Sequence, residues 1–184
     1  MSPERRPSRF FLLAALLALV ALALPIAGCG DDEVETDVPE GEPLELGDMV
    51  FDVQISRFLN PASPEDATYL DGAPPLEPGQ QYFGVFMEIK NEGDEANVVP
   101  YPMKIVDTRG NVFLQERLDN AFALRDGAPI EPDEMIPGVE TAAANGPIEG
   151  SLVLFALDES ATEDRPLKLE VPGPDGVGEI ELDL

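Results

Sequence analysis

The sequence predicts an all-β protein, an antiparallel β-sandwich of about seven strands that follows an acidic, flexible tether. Three observations carry this. Apolar residues recur with a period of two in short runs after residue 47. Nineteen prolines and sixteen glycines fall mainly between those runs. No stretch of the same region holds the 3.6-residue period of a long helix.

The chain opens with Arg5, Arg6 and Arg9, continues through the 15 apolar residues from Phe10 to Leu24, and then meets Pro25, Ala27 and Gly28. A charged start, an apolar middle and a small-residue end are the order of a secretory signal peptide, expected over 1–28. Fifteen residues fall short of the roughly 20 that a permanent membrane helix needs.

The next residues explain the chain's only cysteine. Ile26, Ala27, Gly28 and Cys29 resemble the lipobox of bacterial lipoproteins, an aliphatic residue, two small ones and a cysteine at the end of the apolar run. The resemblance implies that the Cys29 thiol receives a diacylglycerol group and becomes the first residue of the mature chain. A thiolate is the right nucleophile for that transfer. Two acyl chains are also roughly what stable anchoring requires. The implied location is the extracytoplasmic face of the cell membrane, with the membrane itself as a partner through the lipid.

Residues 29–47 carry the lipidated cysteine and a run rich in acids, with two prolines and no base, expected to be an unfolded tether. From 48 to 184 the sandwich is expected. Phe51, Val53 and Ile55 alternate with polar residues. Phe83, Val85, Met87 and Ile89 share one strand face, before a turn at Asn91–Asp94. Two strands flank a turn at Arg109–Asn111, and Leu152–Leu157 is apolar on both faces, as a covered central strand is. Leu167, Leu169 and Val171, then Ile180, Leu182 and Leu184, complete the inward set. The long loops 59–80 and 117–149 exceed what a minimal sandwich needs, and a short helical turn is expected in Arg117–Leu124.

The stretches from Tyr82 to Ala96, Ile105 to Phe113 and Gly150 to Leu157 resemble the telokin-like, immunoglobulin-like domain of unknown function found on many bacterial lipoproteins. There an apolar strand ends in Lys-Asn-x-Gly, an Asp-x-x-Gly turn precedes an aromatic, and a Gly-x-Leu-Val-Phe strand follows. The likeness spans about 48–184 and implies an immunoglobulin-like fold in an extracytoplasmic setting. Fold does not give function.

Charge narrows the partners. From Cys29 onward 8 basic and 36 acidic residues leave a formal charge of −28. Nucleic acid is excluded as a partner, because phosphate binding needs a basic patch. Cationic ligands or another envelope protein fit better. The absence of histidine excludes an imidazole base and His-containing metal sites. None of the six serines sits in a Gly-x-Ser-x-Gly or Ser-x-x-Lys context, so no enzyme and no cofactor are expected. Asp133 with Glu134, and Asp158 with Asp164, are candidate calcium loops, and neither has the spacing of a recognised one. Met49, Met87, Met103 and Met135 are scattered and read as core packing. Tyr82 and Phe86 lie opposite Val85 and Met87, and form the expected interaction patch unless the 59–80 loop covers them.

The sequence therefore points to a lipid-anchored binding or interaction module without catalysis. A ligand-free envelope spacer and a His-free hydrolase are the alternatives.

Overall fold

The structure is a computed structural model that describes residues 34–183. The expected signal peptide and Cys29 lie outside the described residues, as does Leu184.

The seven expected strands are present as β3 (Met49–Leu59), β4 (Gln80–Asn91), β6 (Lys104–Val106), β7 (Val112–Glu116), β10 (Ser151–Asp158), β11 (Leu167–Pro172) and β12 (Val177–Leu182). Five shorter strands join them: β1 (Val38–Pro39), β2 (Leu44–Leu46), β5 (Asn97–Val98), β8 (Pro129–Ile130) and β9 (Met135–Ile136). Among the described residues helix is confined to three short turns, α1 (Pro64–Ala67), α2 (Ala142–Asn145) and a 3-10 turn at Glu159–Glu163.

The strands form a β-sandwich. The front sheet runs β1-β12-β11-β6-β7 and the back sheet β7-β10-β4-β3-β2, with β9 added to β4. Strand β7 belongs to both: Val112–Leu114 pair with β6, while Gln115 and Glu116 pair with β10. Between the sheets Phe51, Phe83, Val85, Met87, Val153 and Phe155 of the back meet Ile105, Leu169, Val171 and Ile180 of the front in one buried cluster. Burying such side chains contributes about 1.5–3 kcal/mol each.

Three expectations need correction. Ile55 does not continue the inward face of β3. A bulge between Val53 and Ile55 adds one residue, so Ile55 turns outward at 39% exposure while Ser56 is buried. The described part of the expected tether, 34–47, is folded. Leu44 and Leu46 are core residues, Val38 pairs with Ile180, and the Glu40 carboxylate accepts bonds from the Ser56 amide (2.9 Å), the Ser56 hydroxyl (2.5 Å) and the Asp183 amide (3.0 Å). In β2 the exposed Glu45 stands between buried Leu44 and Leu46, so the density of acids conceals a strand pattern. Finally, Arg117–Leu124 makes no helix. The Asn120 side-chain oxygen accepts from the amides of Phe122 and Ala123, a competing local turn.

Candidate functional site

Tyr82 and Phe86 are not an exposed patch. Tyr82 is 8% exposed and Phe86 fully buried, beneath the chain that runs from β3 to β4. Tyr69 of that segment sets its ring edge-on to Phe86 at 5.1 Å, and the Tyr82 hydroxyl donates to the Pro74 carbonyl at 2.6 Å. The aromatic pair anchors a lid.

The motif residues are also structural. Asn91, of Lys-Asn-x-Gly, is fully buried. Its side-chain nitrogen donates to the carbonyls of Glu95 (2.8 Å) and Ile130 (2.9 Å), and its oxygen accepts from Gly93 (3.0 Å) and Asn97 (3.2 Å). Every capacity of the amide is used, and the bonds tie the loop that carries β5 to β8. Asp107, of Asp-x-x-Gly, accepts from the amides of Arg109 and Asn111 and from the Asn111 side chain. Burial acts to raise the pKa of this carboxyl. The bonds from Asn111 and Arg109, with the Arg109 charge, outweigh it and hold the carboxyl below its ordinary value.

The loop that Asn91 pins forms one wall of a groove of about 510 Å³ at the end of the sandwich where Val34 joins it. Leu46, Met49 and Phe51 make the floor, Val98, Pro100, Pro172 and Pro174 the walls, and Asp48 and Asp175 the rim. Two tight turns position these walls. Gly47 adopts φ +60, and a Cβ there would lie 3.1 Å from Pro174. In the facing hairpin Gly173 donates to the Gly176 carbonyl at 2.7 Å. Val98 is 60% exposed on the wall. An apolar trough with a few carboxylates at its rim suits an apolar ligand bearing a positive charge. Sequence reading missed it because its walls come from turns far apart in the chain. Asn91 was the one available signal, through its motif.

The loop carboxylates do not converge. Among the described residues no three Asp, Glu, His or Cys groups gather to hold a metal. Asp164 is engaged by Arg109 at 2.7 Å, and Glu134 accepts from the Glu131 amide. Of the methionines, Met49, Met87 and Met103 are buried in the core, whereas Met135 is 37% exposed.

No family model and no curated protein matches this chain. Solved structures do. The yjhA protein of Bacillus subtilis aligns with a TM-score of 0.54 at 9% identity, over 79% of this chain and 99% of its own. A β-sandwich protein of Clostridium difficile 630 aligns at 0.46 and 14% identity, over 81% of this chain and 96% of its own. The Bacillus subtilis strain 168 protein ycdA, described as a candidate lipoprotein, aligns at 0.47 and 15% identity; 78% of this chain covers 38% of that one. At such identities the likeness is one of fold, and the fold is the β-sandwich.

Proposed function

We propose that this protein is a non-catalytic binding module with an immunoglobulin-like sandwich, held on the extracytoplasmic face of the membrane by lipidated Cys29. Its groove receives an apolar ligand that carries a positive charge. The observation that carries the reading is the groove itself, with its floor of Leu46, Met49 and Phe51 beneath Asp48 and Asp175. The anchor rests on the Ile26–Cys29 resemblance.

The folded start at Val34 changes how the module stands. An 18-residue tether would reach about 60 Å, whereas the five steps from Cys29 to Val34 span at most about 17 Å. Charge at the membrane is felt over about 8 Å at physiological salt. The groove, at the Val34 end, therefore works close to the bilayer surface.

Two measurements test the reading separately. Cys29→Ser is expected to move the protein out of the detergent phase with unchanged circular dichroism; retention after a carbonate wash overturns the anchor. A short leucine- and lysine-rich peptide is expected to bind wild type about tenfold more tightly than Val98→Ser, which removes apolar wall without adding charge. Equal affinity overturns the groove and favours a ligand-free spacer.

A further inference from the structure

We propose that the free flank of β7 is a strand-addition site for an extended segment of a partner protein, apolar at alternate residues and acidic at both ends. This surface is separate from the groove.

The flank follows from the bonding pattern. The Asp107 amide donates to the Asn111 carbonyl at 3.1 Å and the Gln115 amide to the Met103 carbonyl at 3.1 Å. Odd-numbered residues of β7 thus turn their main-chain groups toward β6, and even-numbered ones turn theirs away. Glu116 finds Leu154 of β10 on that side. Val112 and Leu114 lie where the two sheets part, and among the described residues no strand pairs with that side of them. The two residues are 52% and 56% exposed. Exposed edges are ordinarily blunted by proline, charge or a bulge. Val112–Leu114 carries none of these.

Charge selects the occupant. Of the eight Lys and Arg residues after Cys29, six fall in 104–125 and 165–168. Two of them, Arg109 and Arg117, bracket β7. The Arg117 side chain is 80% exposed, lies over the Tyr101 ring at 5.4 Å, and reaches Asp126 only at 4.0 Å. Arg109 holds Asp164 yet keeps 59% of its side chain exposed. In a molecule that otherwise repels acid, this edge is framed by guanidiniums. Main-chain bonds supply affinity in such additions, and the flanking charges choose the partner. A second copy is the poorer occupant. Antiparallel pairing of two β7 strands about Phe113 sets Arg109 of each opposite Arg117 of the other, and like charges directly opposed destabilise.

The test titrates the full chain, in detergent micelles, with a synthetic peptide of alternating threonine and valine that has a glutamate at each end. The control has lysine at each end. The Val112 and Leu114 amides are expected to gain hydrogen-exchange protection, and the glutamate-ended peptide to bind about tenfold more tightly than the control. Arg117→Glu is expected to reverse that preference. Leu114→Pro removes only an outward-facing N–H and is expected to abolish the protection at Val112. Absence of protection at millimolar peptide, or equal affinity for the two peptides in wild type, overturns the proposal. Protection that appears without peptide, together with a concentration-dependent dimer, assigns the edge to a second copy and overturns it too. Val98→Ser, which changes no charge, leaves this titration unchanged, so failure at the groove and failure at the edge are told apart.

Discussion

On its inner face the back sheet sets Phe83, Val85 and Met87 of β4 against the front sheet. On its outer face, one residue out of phase, Tyr82, Gly84 and Phe86 meet a covering of irregular chain. β10 divides in the same way, with Val153, Phe155 and Leu157 inward and Leu152 and Leu154 outward. Gly84 lets the outer layer close, since a Cβ there would lie 2.8 Å from Leu152 and 3.0 Å from Leu59. Both faces are dry, but they are held differently. The inner layer is roofed by strands whose backbones are laddered to one another. The outer lid is held largely by side chains: Asn120 donates to the carbonyls of Tyr69 and Asp71, the Ile148 amide donates to the Tyr69 hydroxyl, and Asp66 pairs with Arg57 and accepts from the Asn60 amide. Equal burial does not mean equal stability, and a cover held by a few side-chain bonds opens first.

The comparison can be broken by substitution. Phe155→Ala, in the inner layer, is expected to cost about 3–5 kcal/mol of global stability in chemical denaturation. Phe86→Ala, in the outer layer, is expected to cost about 2–3 kcal/mol because the lid can settle into the cavity. It also raises amide exchange across residues 60–79. If the two variants lose the same stability and leave the lid equally protected, the layers are one cooperative unit. Asp66→Asn is expected to cost about 1–3 kcal/mol, because the buried Asp66 side chain then offers Arg57 and the Asn60 amide a neutral acceptor in place of a charged one. Its exchange signature should stay within the lid, and faster exchange in β11 or β12 would show the layers to be coupled.

The smallest effect sharpens the view of the lid's border. Glu88 stands directly opposite Asp52 on the neighbouring strand. Burial, then the Asp52 and Glu149 charges, raise its pKa above the ordinary value. A carboxyl with a raised folded pKa contributes stability below its unfolded pKa and loses it as pH rises through the folded one. Glu88→Gln is therefore expected to stabilise at neutral pH by about 0.2–1 kcal/mol, reduced by solvent screening. The gain should vanish as pH falls below the ordinary glutamate range. A gain that persists in acid would assign the effect to packing instead of charge.

Much of the fold was legible because strands advertise themselves by period. Phe83 to Ile89 marks one face of β4, and Leu152 to Leu157, apolar throughout, marks a strand covered on both sides. The bulge in β3 was not legible, because one inserted residue leaves no compositional trace and exchanges the faces of everything after it. The acids around Leu44 and Leu46 hid β2, since charge was weighed ahead of alternation. Tyr82 and Phe86 were correctly placed opposite Val85. Whether they met solvent or a lid depended on Tyr69, whose position no local pattern specifies. The groove was illegible for the same reason, being assembled from Gly47, Val98 and Pro174, which meet only in the folded chain.

Strand β1 runs parallel to β12, with Val38 beside Ile180 and Pro39 beside Glu181, so Val34 and Asp183 leave this pair at opposite ends. Tension drawn between them slides the two strands past each other instead of peeling them apart. The Glu40 amide bond to Glu181 (2.9 Å), the Glu179 amide bond to Glu35 (3.2 Å) and the Glu40 carboxylate bond to Asp183 are then strained together, not one after another. The β1–β12 pair is thereby loaded in shear by tension between Val34 and Asp183. Glu40→Ala is expected to lower the rupture force in single-molecule extension, and an unchanged force would place the mechanical resistance elsewhere.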